Sequence, residues 1–436
     1  MARQTTRRGF IKTSSAAIAG GYFAAAGLSA QESNSANEEI RFACIGVGGK
    51  GSSDSGDARK AGKVVAICDI DDDTLEKGGL RFEGAAKYHD FREMLEKEGK
   101  NVDAVTVSTP DHTHAPAAAM ALRMKKAVFT QKPLTHSIWE ARRLAELAEE
   151  NESATMMGNQ GTANSGLRKA AALVQKGVIG KVTEVHVWTN RPVWPQGLDR
   201  PTDTTEAPKS IHWKDFIGPA EYREFAAGVY HPFKWRGWWA FGTGALGDMA
   251  CHTFNMPFAA LNLRDPVSVV AKTSGHNRET YPKWSVIDFD FPKLGERDGV
   301  KVTWYDGGKL PEESLFHGEQ VSTSGSLLVG EKGSIYSPGD YGADFKILNG
   351  PEVPDVDFVQ SPGHFNEWVR AIRGGDAAMS NFKNYAGPLT ETILLGNLAV
   401  WADGKKIEWN AEKMEATNAP EVAHIIKPEY HNGYIL

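Results

Sequence analysis

The feature that most limits how this chain can fold is a short apolar run, Ile40 to Gly46, that leads straight into Gly46-Val47-Gly48-Gly49-Lys50-Gly51. A G-x-G-x-x-G pattern is weak evidence in a chain with 45 glycines, so its context decides. Here it leaves an expected strand and enters an expected helix reaching about Lys60, which is the setting of a dinucleotide-binding turn. Glycines there allow a tight turn and let backbone N–H groups approach a pyrophosphate at the helix N-terminus. A second strand, Lys63 to Cys68, ends in Asp69, about 20 residues on, where a carboxylate binds the adenosine ribose hydroxyls. Asp71, Asp72 and Asp73 follow it and would repel a 2′-phosphate, which favours NAD over NADP.

The strand–helix alternation continues. Helical stretches are expected from Asp72 and over Asp90 to Lys97, then a strand over Val102 to Val107. A helix over Asp111 to Arg123 takes Asp111 as its N-cap. A strand over Ala127 to Thr130, a helix over Ser137 to Glu149 and a strand over Ala154 to Met157 complete the set. Short strands alternating with helices mean an α/β, doubly wound parallel sheet, here over residues 40–158. Beyond Gly158 the rhythm changes. Lys181–Thr189, Val267–Lys272, Trp284–Phe291, Gly299–Tyr305 and Ser326–Val329 look like strands. One helix near Ala245–Leu261 interrupts them, and two more come late, near His364–Arg373 and Pro388–Trp401. Residues 159–436 therefore read as an α+β domain on a large, mostly antiparallel open sheet.

The first thirty residues read differently. Arg7-Arg8-Gly9-Phe10-Ile11-Lys12 precedes a short apolar run, Ala16 to Leu28, ending at Ser29-Ala30. A basic start, a short apolar middle and a small-residue end make an export signal, and the run is too short to span a bilayer. The paired arginines resemble a twin-arginine signal over 1–30, followed by a polar linker over 31–39, so a periplasmic or otherwise exported protein is expected. A net charge of −6 without a dense basic cluster argues against a nucleic-acid partner. Three cysteines, Cys44, Cys68 and Cys251, are too few for a disulfide framework and are expected as buried free thiols.

Three segments carry chemistry. Ser108-Thr109-Pro110-Asp111-His112-Thr113-His114 leaves a strand at the cofactor crevice of such a sheet, with Thr109, Pro110 and His114 as expected cofactor contacts. His112-x-His114 has no third ligand nearby, so it reads as capping and cofactor contact, and no metal is expected. Thr130-Gln131-Lys132-Pro133 leaves the next strand and sends Lys132 towards the nicotinamide end, with Gln131 beside it; Asn159, past the last strand, joins the cofactor set. Gly242 to His252 places Asp248 and His252 four apart, on one helical face, where a carboxylate can orient an imidazole for general-base work.

In that order, the strand–GVGGKG–helix, Asp69, STPDHTH, QKP and GALGDMACH resemble the Gfo/Idh/MocA family over nearly the whole chain beyond the signal. The resemblance implies a Rossmann domain followed by an open-sheet domain that often mediates homodimers or homotetramers. It implies Lys132, Asp248 and His252 as the catalytic set. Lys132 would hold the reacting hydroxyl and His252 would take its proton as hydride leaves for the nicotinamide C4. Two departures stand out: Gln131, where the family usually has Glu, and Ala250, where it often has Gly. Gln131 cannot lend charge to Lys132, so the lysine's usual tuning is in question.

Aromatic residues crowd the stretch from Trp188 to Phe241: Trp188, Trp194, Trp213, Tyr230, Phe233, Trp235, Trp238 and Trp239. Aromatic faces with polar neighbours suit a sugar ring, although about half of such rings are expected in the core. Trp235, Arg236 and Asn190 are the expected substrate contacts. Export implies tightly held NAD, because no pool of free cofactor is at hand outside the cytoplasm. The expected activity is oxidation of a CH–OH group on a sugar, sugar derivative or cyclitol. One alternative is an NAD-dependent glycosidase that oxidises C3, eliminates the aglycone, adds water and reduces the ketone back. A second is a non-catalytic sugar-binding protein on the same fold.

Overall fold

The computed structural model describes residues 39–436. The expected signal, and all of the linker but Glu39, lie outside the described residues. The chain begins with β1 (Ile40–Ile45), α1 (Gly49–Ala61), β2 (Gly62–Cys68), α2 (Asp72–Arg81), β3 (Ala86–Tyr88) and α3 (Phe91–Glu98). There follow β4 (Ala104–Val107), α4 (Asp111–Arg123), β5 (Ala127–Thr130), α5 (Ile138–Glu150) and β6 (Thr155–Met157). These six strands pair in parallel in the order β3-β2-β1-β4-β5-β6. β4 and β5 are buried at every position, as central strands covered on both faces by crossover helices must be. Ser137 opens α5 with a capping box, its hydroxyl accepting from the Glu140 N–H while the Glu140 carboxylate accepts from Ser137 N.

Asp111 departs from its expected role. Pro110 is the N-cap of α4 and no side chain caps it; Asp111 is already helical and accepts a hydrogen bond from the Thr243 hydroxyl at 2.6 Å. A proline at the cap position fixes the entry angle, so the carboxylate points to a distant helix.

The second domain comprises α6 (Ser165–Gln175), β7 (Val182–Trp188), α7 (Trp213–Ile217), α8 (Gly244–Thr253), α9 (Asn255–Leu261), β8 (Ser268–Thr273), β9 (Ser285–Phe291), β10 (Val300–Tyr305), β11 (Gly325–Gly330), β12 (Gly333–Pro338), β13 (Lys346–Leu348), α10 (His364–Ile372), α11 (Gly387–Trp401), β14 (Ile407–Asn410) and β15 (Glu415–Ala416). Its nine strands run β13-β12-β11-β7-β10-β9-β8-β14-β15, antiparallel throughout except for the β7–β10 pair. Burial alternates strictly along β9, with Ser285, Ile287, Phe289 and Phe291 inside. The outward face of the neighbouring strands carries Glu184, Asp288, Lys301 and Thr303, linked by Thr303 Oγ1 to Asp288 at 2.7 Å and Lys301 Nζ to Asp288 at 3.3 Å. α11 is buried nearly along its whole length because it packs on α5 on one side and on β8 and β9 on the other.

The single helix expected over Ala245–Leu261 is two. Pro257 has no N–H to give to the carbonyl of Thr253, so the ladder breaks there and α9 starts anew. The three cysteines are free and buried.

Candidate active site

Gly48 caps α1 without any side-chain acceptor for the first N–H groups of the helix. Close packing explains two of the flanking glycines. A Cβ at Gly46, whose φ is +77°, would lie 2.5 Å from the Ser108 carbonyl oxygen, and one at Gly51 would lie 2.1 Å from the Gly46 oxygen. Gly49, at φ +47°, instead faces open space. A turn pressed against β4 on one side, open on the other and presenting uncapped N–H groups suits a pyrophosphate. Asp69 closes the turn by accepting the Val47 N–H at 2.9 Å and the Asp71 N–H at 3.2 Å. Burial pushes its carboxyl above the usual range, against those backbone donors.

Gly46, Gly48, Gly49 and Asp69 line one end of a cavity of about 610 Å³ that continues past Thr109, Pro110 and Gln131 to Lys132, Asp248 and His252, while Gly51, expected as a cofactor contact, packs on the Gly46 carbonyl and stands off the wall. The residues expected to bind dinucleotide and those expected to do chemistry thus share one space.

The trio is wired differently from its sequence spacing. Lys132 Nζ donates to Asp248 Oδ1 at 2.7 Å and to the Asp248 carbonyl at 2.9 Å. Arg236 Nε reaches the same Oδ1 at 3.3 Å. Burial alone would raise the Asp248 carboxyl, but Lys132 and Arg236 overcome it and hold it down at about 2. Asp248 therefore pairs with two cations and makes no hydrogen bond to His252. The i,i+4 relation puts both residues on one face, yet the stronger charge pairs capture the carboxylate. His252 is 4% exposed and its Nδ1 is buried without a partner. Burial, then the Lys132 charge, pushes its imidazole well below the usual value, so it stands neutral.

Gln131 has a physical explanation that the sequence did not offer. Its Nε2 donates at 2.8 Å to Asp54, a carboxylate 2% exposed on α1 that also accepts from Ser108 Oγ and from Lys50 Nζ. A carboxylate already stands behind position 131, and an amide is the partner it needs. Asp54 was not legible because a lone Asp inside a polar helix looks solvated. A second missed group is Asp111, which lines the cavity. Burial holds its carboxyl up at about 7, against the Thr243 hydroxyl and the charges of Arg236 and Lys132.

Other expected contacts fall outside the cavity wall. His114 presents both ring nitrogens to backbone carbonyls, of Pro133 and Thr109, each at 2.8 Å, and so braces the turn carrying Lys132. His112 does likewise with Phe241 and Phe216, at 3.1 and 2.8 Å. Asn159 is buried next to Gln160, a wall residue, with its Nδ2 unpartnered. Asn190 is exposed and bonds its neighbour Arg191, and Arg191 is the residue on the wall.

Of the aromatic set, Trp194, Phe233 and Trp235 line the cavity, with Arg236 4.2 Å from the Trp235 ring and 4.7 Å from the Phe233 ring. Trp213, Tyr230 and Trp238 form, together with Trp235, a core behind the wall, and Trp188 belongs to another under β11 and β12. Tyr341 meets the His252 ring edge-on at 4.9 Å.

Comparison with known proteins agrees with this architecture. Residues 40–159 match the oxidoreductase family model GFO_IDH_MocA, described as an NAD-binding Rossmann fold, and residues 164–434 match its C-terminal alpha/beta domain. A D-xylose 1-dehydrogenase [NADP(+)] of Haloarcula marismortui is 27% identical over 169 residues, 37% of this chain and 46% of that protein. An inositol 2-dehydrogenase of Rubrobacter xylanophilus is 31% identical over 114 residues, 25% of this chain and 32% of that protein. The matched stretch is less than half the length of either relative. The WlbA dehydrogenase of Bordetella pertussis, solved with NADH and UDP-GlcNAcA, superposes with a TM-score of 0.60 at 17% identity, covering 86% of this chain and 99% of that one. At that identity the likeness shows the fold alone. With both family models matched end to end over the described residues, the chain belongs to the Gfo/Idh/MocA oxidoreductases and carries their NAD-binding Rossmann domain.

Proposed function

We propose that this protein is an NAD-dependent oxidoreductase acting on a CH–OH group of a sugar, sugar derivative or cyclitol. The observation that carries the reading is the shared cavity, with the glycine turn and Asp69 at one end and Lys132 and His252 at the other. The bound dinucleotide supplies a hydride acceptor. Lys132 has three N–H groups, two of which Asp248 engages; the third is left to grip the substrate hydroxyl. Asp248, itself braced by Arg236, holds the ammonium in place, and neutral His252 takes the hydroxyl proton. Trp194, Phe233 and Trp235 offer apolar faces to a ring, and Arg191 and Arg236 offer donors to its hydroxyls. The names of the two relatives, a xylose and an inositol dehydrogenase, point to the same substrate class. Export by the twin-arginine route, and assembly through the open sheet, complete the proposal.

Asp111 favours keeping the glycosidase as a second reading. A buried carboxyl held near 7 on the same wall is a second proton-handling group, which simple alcohol oxidation does not need. A panel of sugars, cyclitols and aryl glycosides, read by nicotinamide absorbance and product analysis together, separates the two. Net nicotinamide reduction with a polyol supports the oxidoreductase. Aglycone release without net reduction supports the glycosidase, and neither signal from any compound overturns both.

A further inference from the structure

The adenosine end of the cavity is not an open groove. Beyond Asp69 its wall is built from Ile70, Asp71, His89 and Phe91 of the first domain, but also from Phe216 of the second domain and Tyr434 of the C-terminal segment. We propose that the segment Ser210–Ala220 and the C-terminal residues 431–434 form a clasp over the adenosine half of the dinucleotide and keep it from exchanging. The proposal rests on the dinucleotide reading above and goes beyond it by assigning retention to named residues.

Three sets of contacts hold the clasp shut. First, the loop that follows Asp69 pairs with the second domain like a short strand. Asp72 N donates to the Ser210 carbonyl at 2.9 Å, His212 N donates to the Ile70 carbonyl at 2.8 Å, and Asp71 bridges Ile211. The residues that flank the expected ribose contact are therefore tied by backbone bonds to the cover above them. Second, His212 lies flat on His89, ring centres 3.5 Å apart and planes 13° from parallel. Both Nε2 atoms meet Asp72 Oδ1, at 3.0 Å from His212 and 3.4 Å from His89. Two histidines and an aspartate this close invite a metal, but nearly parallel rings send their Nε2 lone pairs side by side rather than to one point. Their geometry is that of a stacked pair sharing a carboxylate, one ring from each side of the clasp.

Third, the C-terminal segment belts the cover to the first domain. His431 N donates to the Pro219 carbonyl at 2.9 Å, and Asn432 Nδ2 donates to the Gly218 and Ala220 carbonyls at 2.8 and 3.0 Å. Two residues on, Tyr434 packs on Phe91 with ring centres 6.0 Å apart, under the Arg92 guanidinium at 4.1 Å. Behind the cover, Trp213 stacks on Phe216 at 4.8 Å within the aromatic core, so the roof is a packed unit rather than a loose loop. For the adenosine to leave, the backbone pairing, the histidine stack and the tyrosine belt must all open, and such barriers appear mainly in dissociation rates.

The experiment loads the full chain with radiolabelled NAD, chases with excess unlabelled NAD and follows the retained label by gel filtration. The wild-type protein is expected to carry its label through the column. Tyr434→Ala, and separately His212→Ala, should raise the exchange rate about tenfold or more. Asp72→Asn keeps the backbone ties and the side-chain shape while removing the charge the two imidazoles share, and it should speed exchange to a smaller extent. Thermal unfolding of each variant checks that faster exchange does not come from a chain that has lost its fold. Wild-type protein that titrates tightly with NAD yet exchanges it within the dead time overturns the clasp alone. Folded variants that all exchange at the wild-type rate do the same. A wild-type chain that neither carries NAD as purified nor takes any up overturns the clasp and the functional reading together.

Discussion

Gln131 shows how one residue can be read backwards when its partner is hidden. Taken alone, an amide before Lys132 is a lost charge; beside buried Asp54 it is the group that makes that carboxylate tolerable. Restoring the charge should therefore harm this chain. Gln131→Glu sets two carboxylates 2.8 Å apart out of water and is expected to cost about 1–3 kcal/mol in thermal or denaturant unfolding. Adding Asp54→Asn to that variant exchanges the two groups and should recover most of the loss. Equal stability of Gln131→Glu and wild type would show that the Asp54 contact is not formed in solution.

At the scale of elements, the turn between β1 and α1 makes a sharper distinction than its motif does. Gly51→Ala drives a methyl into the Gly46 carbonyl at 2.1 Å, which nothing flexible can relieve, so a loss of several kcal/mol of stability is expected. Gly49→Ala meets no atom within 4 Å and pays only for a positive φ, about 1 kcal/mol, while crowding the space in front of the helix N-terminus. Melting curves should separate the two, and NAD titration should show Gly49→Ala weakened in binding despite a nearly intact fold. Much of this element order was legible. The helix over Asp111–Arg123 and the strand over Ala127–Thr130 stand where their patterns put them, because an alanine-rich run and a β-branched run leave little choice. β12, β13, β14 and β15 were not seen, since two- to six-residue strands at a sheet edge carry too few alternations to register. α6 was also passed over, because the glycines at 158, 161 and 166 mask a period carried by Leu167, Ala170, Leu173 and Val174. In the site, Lys132 and His252 were legible from motif order. The Asp248–Lys132–Arg236 wiring was not, because spacing along one helix says nothing of cations brought from elsewhere.

Across the whole molecule, burying imidazoles makes stability depend on acid. His364 has both ring nitrogens shut away from solvent, and burial, against the Glu367 charge and the Met157 backbone, holds it down at about 4. Its folded value lies below the ordinary 6.5, so as pH falls from 6.5 the unfolded chain binds a proton that the folded chain refuses. Its share of stability is present above 6.5 and lost towards 4, at about 1.4 kcal/mol per pH unit. His364→Leu removes that loss. The variant should gain on wild type as pH drops from 6.5 to 4, by about 3 kcal/mol over the window in chemical denaturation. A difference that stays constant with pH would show that this ring is not buried neutral. The same burial, applied to His252 beside Lys132, is what leaves a neutral imidazole on the wall of the cavity. Single-turnover reduction of bound NAD by a polyol substrate checks the roles proposed for this imidazole and for Lys132. Rapid reduction is expected of the wild-type chain, slowed by about 10²–10⁴-fold in His252→Ala and in Lys132→Ala with NAD still bound. Reduction at the wild-type rate in either variant would contradict those roles.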